Sequence, residues 1–240
     1  MVLAYLIADP DFWVSLRNTI VLLGSVLVIT VGLGVLLAVL FDQDFAGHGI
    51  ARVLAMPPFF VMPTVAALIW KKLMMHPIYE VFGAIADAFG FEPIVWFAKY
   101  PMASAILIIS WEWLPFAPLI LLTAVRSLDH EQREAVLMDG AGVIAQFFFI
   151  TLLHLSRAIS VVITIETIFL LIVFAEIFVT TSGGPGNATT NLAFLIYVRA
   201  LLLFFPIFWM VLTSLTTETA AIATPPHLFF KPSLSSYLEV

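Results

Sequence analysis

The 240-residue sequence contains no cysteine. That removes a disulfide framework, a thiolate metal site and a cysteine nucleophile from consideration. Charge is scarce too. Only 11% of residues are Asp, Glu, Lys or Arg, against about a quarter in a soluble domain. The charges sum to −6, which argues against a nucleic-acid partner, since that would favour a basic face. No glycine-rich phosphate loop ending in Gly-Lys-Ser/Thr occurs, which removes nucleotide binding of that kind. His48, His76, His130, His154 and His227 are scattered without metal-ligand spacing. The first eleven residues have no basic stretch and carry Asp9 and Asp11 early, unlike a cleavable secretion signal.

What is abundant is apolar surface. Hydrophobic residues make up 62% of the chain, including 22 Phe and 6 Trp. Such a chain has too little polar surface to face water on all sides, and facing lipid is the cheaper solution. A helix needs roughly 20 apolar residues to cross the hydrocarbon, and five runs qualify. They cover about residues 19–41, 51–70, 101–125, 158–180 and 192–215. The second is broken by Pro57, Pro58 and Pro63. The third contains Glu112, Pro115 and Pro118, the fourth Glu166 and Glu176, and the fifth Arg199 and Pro206. Lipid offers the backbone no hydrogen-bond partners, so spanning segments are helical. The runs do not alternate as barrel strands would. The expected fold is all-α, a polytopic membrane helical bundle of about five spanning helices.

The connections differ in kind. Residues 42–49 are short and polar. Residues 71–100 are mixed, with a short surface helix expected near 84–89. Residues 126–157 hold the densest cluster of charge, and 181–191 are uncharged and rich in Gly, Pro, Thr and Asn. Residues 216–240 hold three prolines and read as a loop. Loop charge does not orient the bundle. Arg52, Arg126, Arg133 and Arg157 fall on one side, and Arg17, Lys71, Lys72 and Lys99 on the other.

The 126–157 connection reads RSLDHEQREAVLMDGAGVIAQFFFITLLHLSR, longer than a simple helix–helix link. Asp129 can cap a helix whose first turn includes Glu131. Gly140 and Gly142 stop or bend it, and a second amphipathic piece follows with Phe147, Phe148 and Ile150 apolar. The result is a knob between two spans, or on a plainer reading a loop lying on the membrane surface.

This segment resembles the cytoplasmic signature of permease subunits in binding-protein-dependent, ATP-driven (ABC) importers. That pattern is Glu-Ala-Ala, two residues, Asp-Gly-Ala, then Phe, Ile and Leu-Pro. Here it stands as Glu134, Ala135, Val136, then Asp139, Gly140, Ala141, then Phe147, Ile150, Leu152, Leu153. Val136 replaces the second Ala and Leu153 the Pro. The resemblance implies that this helix docks on an ATP-hydrolysing subunit and transmits its closure. Gly140 and Ala141 allow close approach, and Glu134 and Asp139 can pair with basic groups. Leu153 would weaken the bend that the Pro makes. The motif also implies that this loop is cytoplasmic. TSGGPGNATTNLA, beside FLIY, resembles the outer loop of carbohydrate-type permeases. IETIFLLIVFAEI and DFWVSLRNT are most similar to permeases for sorbitol and mannitol. The implied partners are an ATP-hydrolysing subunit that binds the ATP, a second permease subunit, a periplasmic solute-binding protein and the lipid of a bacterial inner membrane. This chain itself would hold no cofactor.

Glu112, Glu166 and Glu176 each fall within an apolar run. A charge there costs several kcal/mol on insertion scales and usually faces a cavity or a partner. Polyol hydroxyls can donate to such a carboxylate, so Glu166, with Glu112 and Glu176, is a candidate lining of the transport path. Pairing with a neighbouring subunit, or an interfacial position for Glu176, is the alternative. Prolines in the second and third spans can kink those helices.

The sequence departs from its family at both ends. The family usually has a further helix before DFW. Residues 201–240 resemble the beginning of a companion permease, its first helix and outer loop. The expected division is 1–202, a permease domain, and 203–240, the companion segment, with a seam near 199–204. Three readings of function follow. One is an importer permease with no catalytic residues. Another is a fusion that keeps the fold in part and does not transport. The third is a membrane-embedded enzyme using Glu112, Glu166 or Glu176 with a histidine.

Overall fold

The computed structural model describes residues 7–76, 81–92, 94–128, 138 and 142–214. The secondary structure of the described residues is helical, and no strand occurs among them. The all-α expectation therefore holds, while the shapes of individual spans differ from the hydropathy runs.

Helix α1 (Pro10–Asp42) is longer than its apolar run. Asp9 caps it by accepting from the Asp11 amide, and Pro10 occupies the first turn, where its missing N–H costs nothing. Its buried residues include Ser15, Asn18, Leu22, Val26, Thr30, Gly34, Ala38 and Phe41. Their spacing of three or four places them on one stripe. That stripe mixes small and polar groups, the kind of surface that lets helices approach closely in lipid, where apolar area alone gives no driving force.

The second run is not one straight span. It forms α2 (His48–Ala55), α3 (Pro57–Phe60) and α4 (Pro63–Ile69), and α4 continues through a π-helical turn, Trp70–Met74. The two halves, His48–Phe60 and Pro63–Met74, meet at 105°. Pro57 and Pro63 each begin a helix, since proline suits a first turn and breaks an interior. Next come α5 (Val81–Ala88) and the single turn α6 (Trp96–Lys99). The third run is α7 (Pro101–Trp113) and α8 (Phe116–Arg126), bent by 45° at Leu114–Pro115.

The fourth run needs correction at both ends. It begins with α9 (Val143–Gln146), passes through a π-helical turn at Phe147–Thr151 and continues as α10 (Leu152–Leu171). Phe147, Phe148 and Ile150 thus start the span rather than forming a separate amphipathic piece. Leu153 lacks the proline ring that would break the ladder, and the helix runs through it. At the other end the span stops at Leu171. Residues 172–174 are unwound, and Glu176 sits on a separate short helix, α11 (Ala175–Thr180). The fifth run is α12 (Leu192–Ser214), with Pro206 inside it.

Among the described residues three helices are long and apolar enough to cross a membrane, or up to five spans if each bent pair counts as one. Large apolar side chains such as Val28, Leu36, Ile168 and Phe169 are exposed, while Asn18, Thr30, Glu112, Glu166 and Asn191 are buried. This inversion suits a hydrocarbon solvent.

Packing divides the chain into two units, Met1–Phe194 and Leu195–Val240. In the first, Val35 and Ala38 of α1, Ala117, Leu121 and Val125 of α8, and Leu155 and Val162 of α10 form the main core. A methyl group at Gly34 would lie 2.4 Å from the Ala117 Cβ, so α1 and α8 meet at a contact that only glycine permits. A second cluster joins Trp70, Met75 and Ile108, bordered by Phe82, Trp96 and Trp111. In the second unit the described part is the remainder of α12. There Leu201 to Phe205 are all exposed, and Phe205 stacks on Trp209.

Candidate functional site

Three buried carboxyl groups stand out against the apolar bundle. Glu166 is in the middle of α10 and fully buried. The Thr30 hydroxyl of α1 donates to its Oε2 at 2.6 Å. Its Oε1 is buried with no partner. Thr30 has a single proton, and the Val26 carbonyl lies at 2.9 Å as an alternative acceptor. Glu166 therefore bridges α10 to α1.

Glu112 and Glu176 are brought together. They come from α7 and α11, and their carboxyl groups interact side by side. Both line an open recess of about 310 Å³, with Pro63, Trp113, Phe169 and Phe174 among its walls. Glu112 Oε2 is buried without a hydrogen-bond partner. The rings of Trp113 and Phe169 lie 5.4 Å apart. Glu166 is not among the lining residues. Of the three acidic residues singled out in the sequence, two share a cavity and the third holds a helix contact. Carboxylates beside aromatic faces offer acceptors for hydroxyl groups and flat apolar surfaces for a ring.

The 181–191 loop follows α11 and is bonded internally. Ser182, Gly183 and Gly186 have positive φ. At Gly183 a side chain would also meet Thr190 Oγ1 at 2.6 Å. Thr189 and Thr190 donate their hydroxyls to the carbonyls of Gly184 and Gly183. The loop is tied to α1 as well. Asn18 Nδ2 donates to the carbonyls of Asn187 and Thr190, and Asn187 Nδ2 donates to Asp11 Oδ1. Asn191 does two jobs. Its Nδ2 donates to the Val173 carbonyl at the break after α10, and its Oδ1 accepts from the Phe194 amide in the first turn of α12. Lys71 Nζ donates to the Val179 carbonyl at the end of α11. These polar anchors were not singled out from the sequence. The available signal was the stripe of polar and small residues recurring every three or four positions in α1.

Of the docking residues, Glu134, Ala135, Asp139, Gly140 and Ala141 lie outside the described residues. Phe147 and Leu152 pack against the main core, and Ile150 is half-buried between them. Phe148, Phe149 and Leu153 are exposed. The two ends of this connection are held together. His154 Nε2 lies 3.1 Å from the Ala124 carbonyl and from Ser127 Oγ. Arg126 pairs with Asp42 at 3.8 Å. Among the described residues no group of His, Asp or Glu could hold a metal ion.

No protein-family model matches the chain. Curated relatives do. A probable ABC transporter permease protein of Pyrococcus horikoshii is 31% identical over 201 residues, which cover 80% of this chain and 67% of that protein. A probable ABC transporter permease protein of Sinorhizobium fredii is 34% identical over 190 residues, 79% of this chain and 61% of that one. The trehalose/maltose transport system permease protein MalF of Thermococcus litoralis is 31% identical over 189 residues, 78% and 64% of the two chains. The chain thus spans a little over three fifths of the length of the last two relatives. These relatives are named as transport permeases and not as enzymes. A solved bacterial ABC transporter that imports the acidic polysaccharide alginate shares the fold, with a TM-score of 0.72 at 21% identity over 85% of this chain and 72% of that one. With its helical architecture and the match to the archaeal protein over two thirds of that protein's length, the chain belongs to the permease proteins of ABC transporters.

Proposed function

We propose that this chain is the membrane-spanning permease subunit of an importer for sugars or sugar alcohols in a bacterial inner membrane. The match to permeases whose names specify trehalose/maltose and lactose transport carries this reading. The recess between Glu112 and Glu176, walled by Trp113, Phe169 and Phe174, supports it with groups suited to a polyhydroxylated solute. Glu166, sealed by Thr30, borders the path as a helix tie. A separate subunit binds and hydrolyses ATP and docks on residues 134–152, which face the cytoplasm. A second permease completes the path, and a periplasmic solute-binding protein delivers the solute. Sorbitol (glucitol) or mannitol is the narrower proposal, resting on the IETIFLLIVFAEI and DFWVSLRNT resemblance.

The decisive experiment is uptake of labelled glucitol, mannitol and maltose in a strain lacking its own permease, supplied with this chain and its neighbouring transporter genes. Restored uptake of one solute supports the reading and names the substrate. Normal membrane insertion with no uptake would favour the non-transporting fusion. The assignment of residues 203–240 to a companion permease is likewise a proposal, tested by reading the DNA across the 199–204 seam.

A further inference from the structure

At the end of α1, Arg52 of α2 donates from Nη2 to the Phe41 carbonyl. Its Nε is buried and has no hydrogen-bond partner. Among the described residues Arg52 makes no ion pair, and the neighbouring Asp42 pairs with Arg126 instead. One N–H of the guanidinium is explained by the helix end, and the positive charge is not.

That charge lines a groove whose other walls are apolar. Phe41, Met56, Pro118, Leu119 and Leu122 line it beside Arg52. Leu119 is exposed on the outer surface of the bundle. Helix α1 ends at Asp42 and is followed by Gln43 and Asp44, polar groups suited to the edge of a membrane. Helix α2 leaves Ile50, Val53 and Leu54 exposed, as a helix lying in the lipid interface does.

A cation at the membrane boundary above an apolar groove fits one ligand class. We propose that the groove binds an anionic phospholipid, with the phosphate on the Arg52 guanidinium and an acyl chain along Met56, Pro118, Leu119 and Leu122. The planar guanidinium suits phosphate oxygens, and basic pockets beside spanning helices select anionic headgroups. A free phosphate would gain nothing from the apolar walls. A zwitterionic lipid would bring its own cation to Arg52.

The test is native mass spectrometry of the full chain released from detergent, titrated with phosphatidylglycerol or phosphatidylcholine. Phosphatidylglycerol is expected to bind about fivefold more tightly, as one basic contact near a membrane surface gives. Arg52→Gln should abolish that preference, and Arg52→Lys should keep part of it. Met56→Trp, which fills the groove and leaves Arg52 in place, should weaken binding of both lipids and decides the matter if Arg52→Gln fails to fold. Equal retention of the two lipids by the unaltered chain would overturn the proposal, as would unchanged phosphatidylglycerol binding in folded Arg52→Gln. Release of the lipid by millimolar inorganic phosphate would assign the site to a free anion.

Discussion

Thr30 of α1 donates a 2.6 Å hydrogen bond to Glu166 of α10 and so ties a fully buried carboxyl group to a second helix. Glu166 Oε1 already lacks a partner, so loss of the hydroxyl would leave both oxygens unsatisfied. Thr30→Val is expected to destabilise the solubilised chain by roughly 1–3 kcal/mol, the cost of orphaning a buried acceptor. Thr30→Ser should cost much less. Thermal unfolding in one detergent compares the two. Equal midpoints for Val and Ser would remove the bond from the account.

The Gly34–Ala117 approach gives a sharper steric prediction. Gly34→Ala places its methyl 2.4 Å from the Ala117 Cβ, and overpacking of this kind costs about 1–3 kcal/mol. Ala117→Gly in the same chain should recover most of that loss. A double-mutant cycle on the unfolding midpoint reads the coupling. Additive losses would show that α1 and α8 do not meet there.

At the outer loop, Asn191→Leu removes both the bond to the Val173 carbonyl and the acceptor for the Phe194 amide. The cap alone is worth about 1 kcal/mol. The variant should become sensitive to protease within 172–191 while the rest of the bundle stays resistant. Cleavage rates matching the unaltered chain would count against the anchoring role.

For the recess, Glu112→Gln keeps the shape and replaces the carboxyl group that faces Glu176 with an amide. Solute uptake is expected to fall about tenfold at normal expression, the loss of one hydrogen bond of about 1.5 kcal/mol. Undiminished uptake would exclude Glu112 from the path.

The Arg126–Asp42 pair predicts a small effect. Arg126 is half exposed and the pair spans 3.8 Å, and exposed pairs are worth about 0–1 kcal/mol. Arg126→Gln should leave the unfolding midpoint nearly unchanged. A large drop would mean that the guanidinium does more than pair with Asp42.

Hydropathy located each spanning region because apolar runs of this length have few other solutions. It could not supply their shape. Pro57 and Pro63 announced a break in the second run, but the 105° angle depends on how α4 packs. The end of α10 was hidden for a different reason. Ile172, Val173 and Phe174 include no glycine or proline, and the carbonyl freed by unwinding at Val173 is satisfied by Asn191, 18 residues further on. A local window cannot see that bond. The pairing of Glu112 with Glu176 was equally out of reach, since it follows from where α11 docks. Thr30 and Asn18 were legible in principle. They fall on the same stripe as Leu22, Val26 and Gly34, and polar side chains repeating along one stripe of an apolar helix mark its buried side.

The bond from Asn191 to Val173 also has a mechanical meaning. In an unbroken helix the Ile177 amide would take the Val173 carbonyl. The loop amide sits on that acceptor, so it works as a wedge. The chain cannot rewind 172–174 into a continuous rod without first expelling the loop. While the wedge is in, the helix that carries Glu176 stays a separate rod from the long helix that carries Glu166.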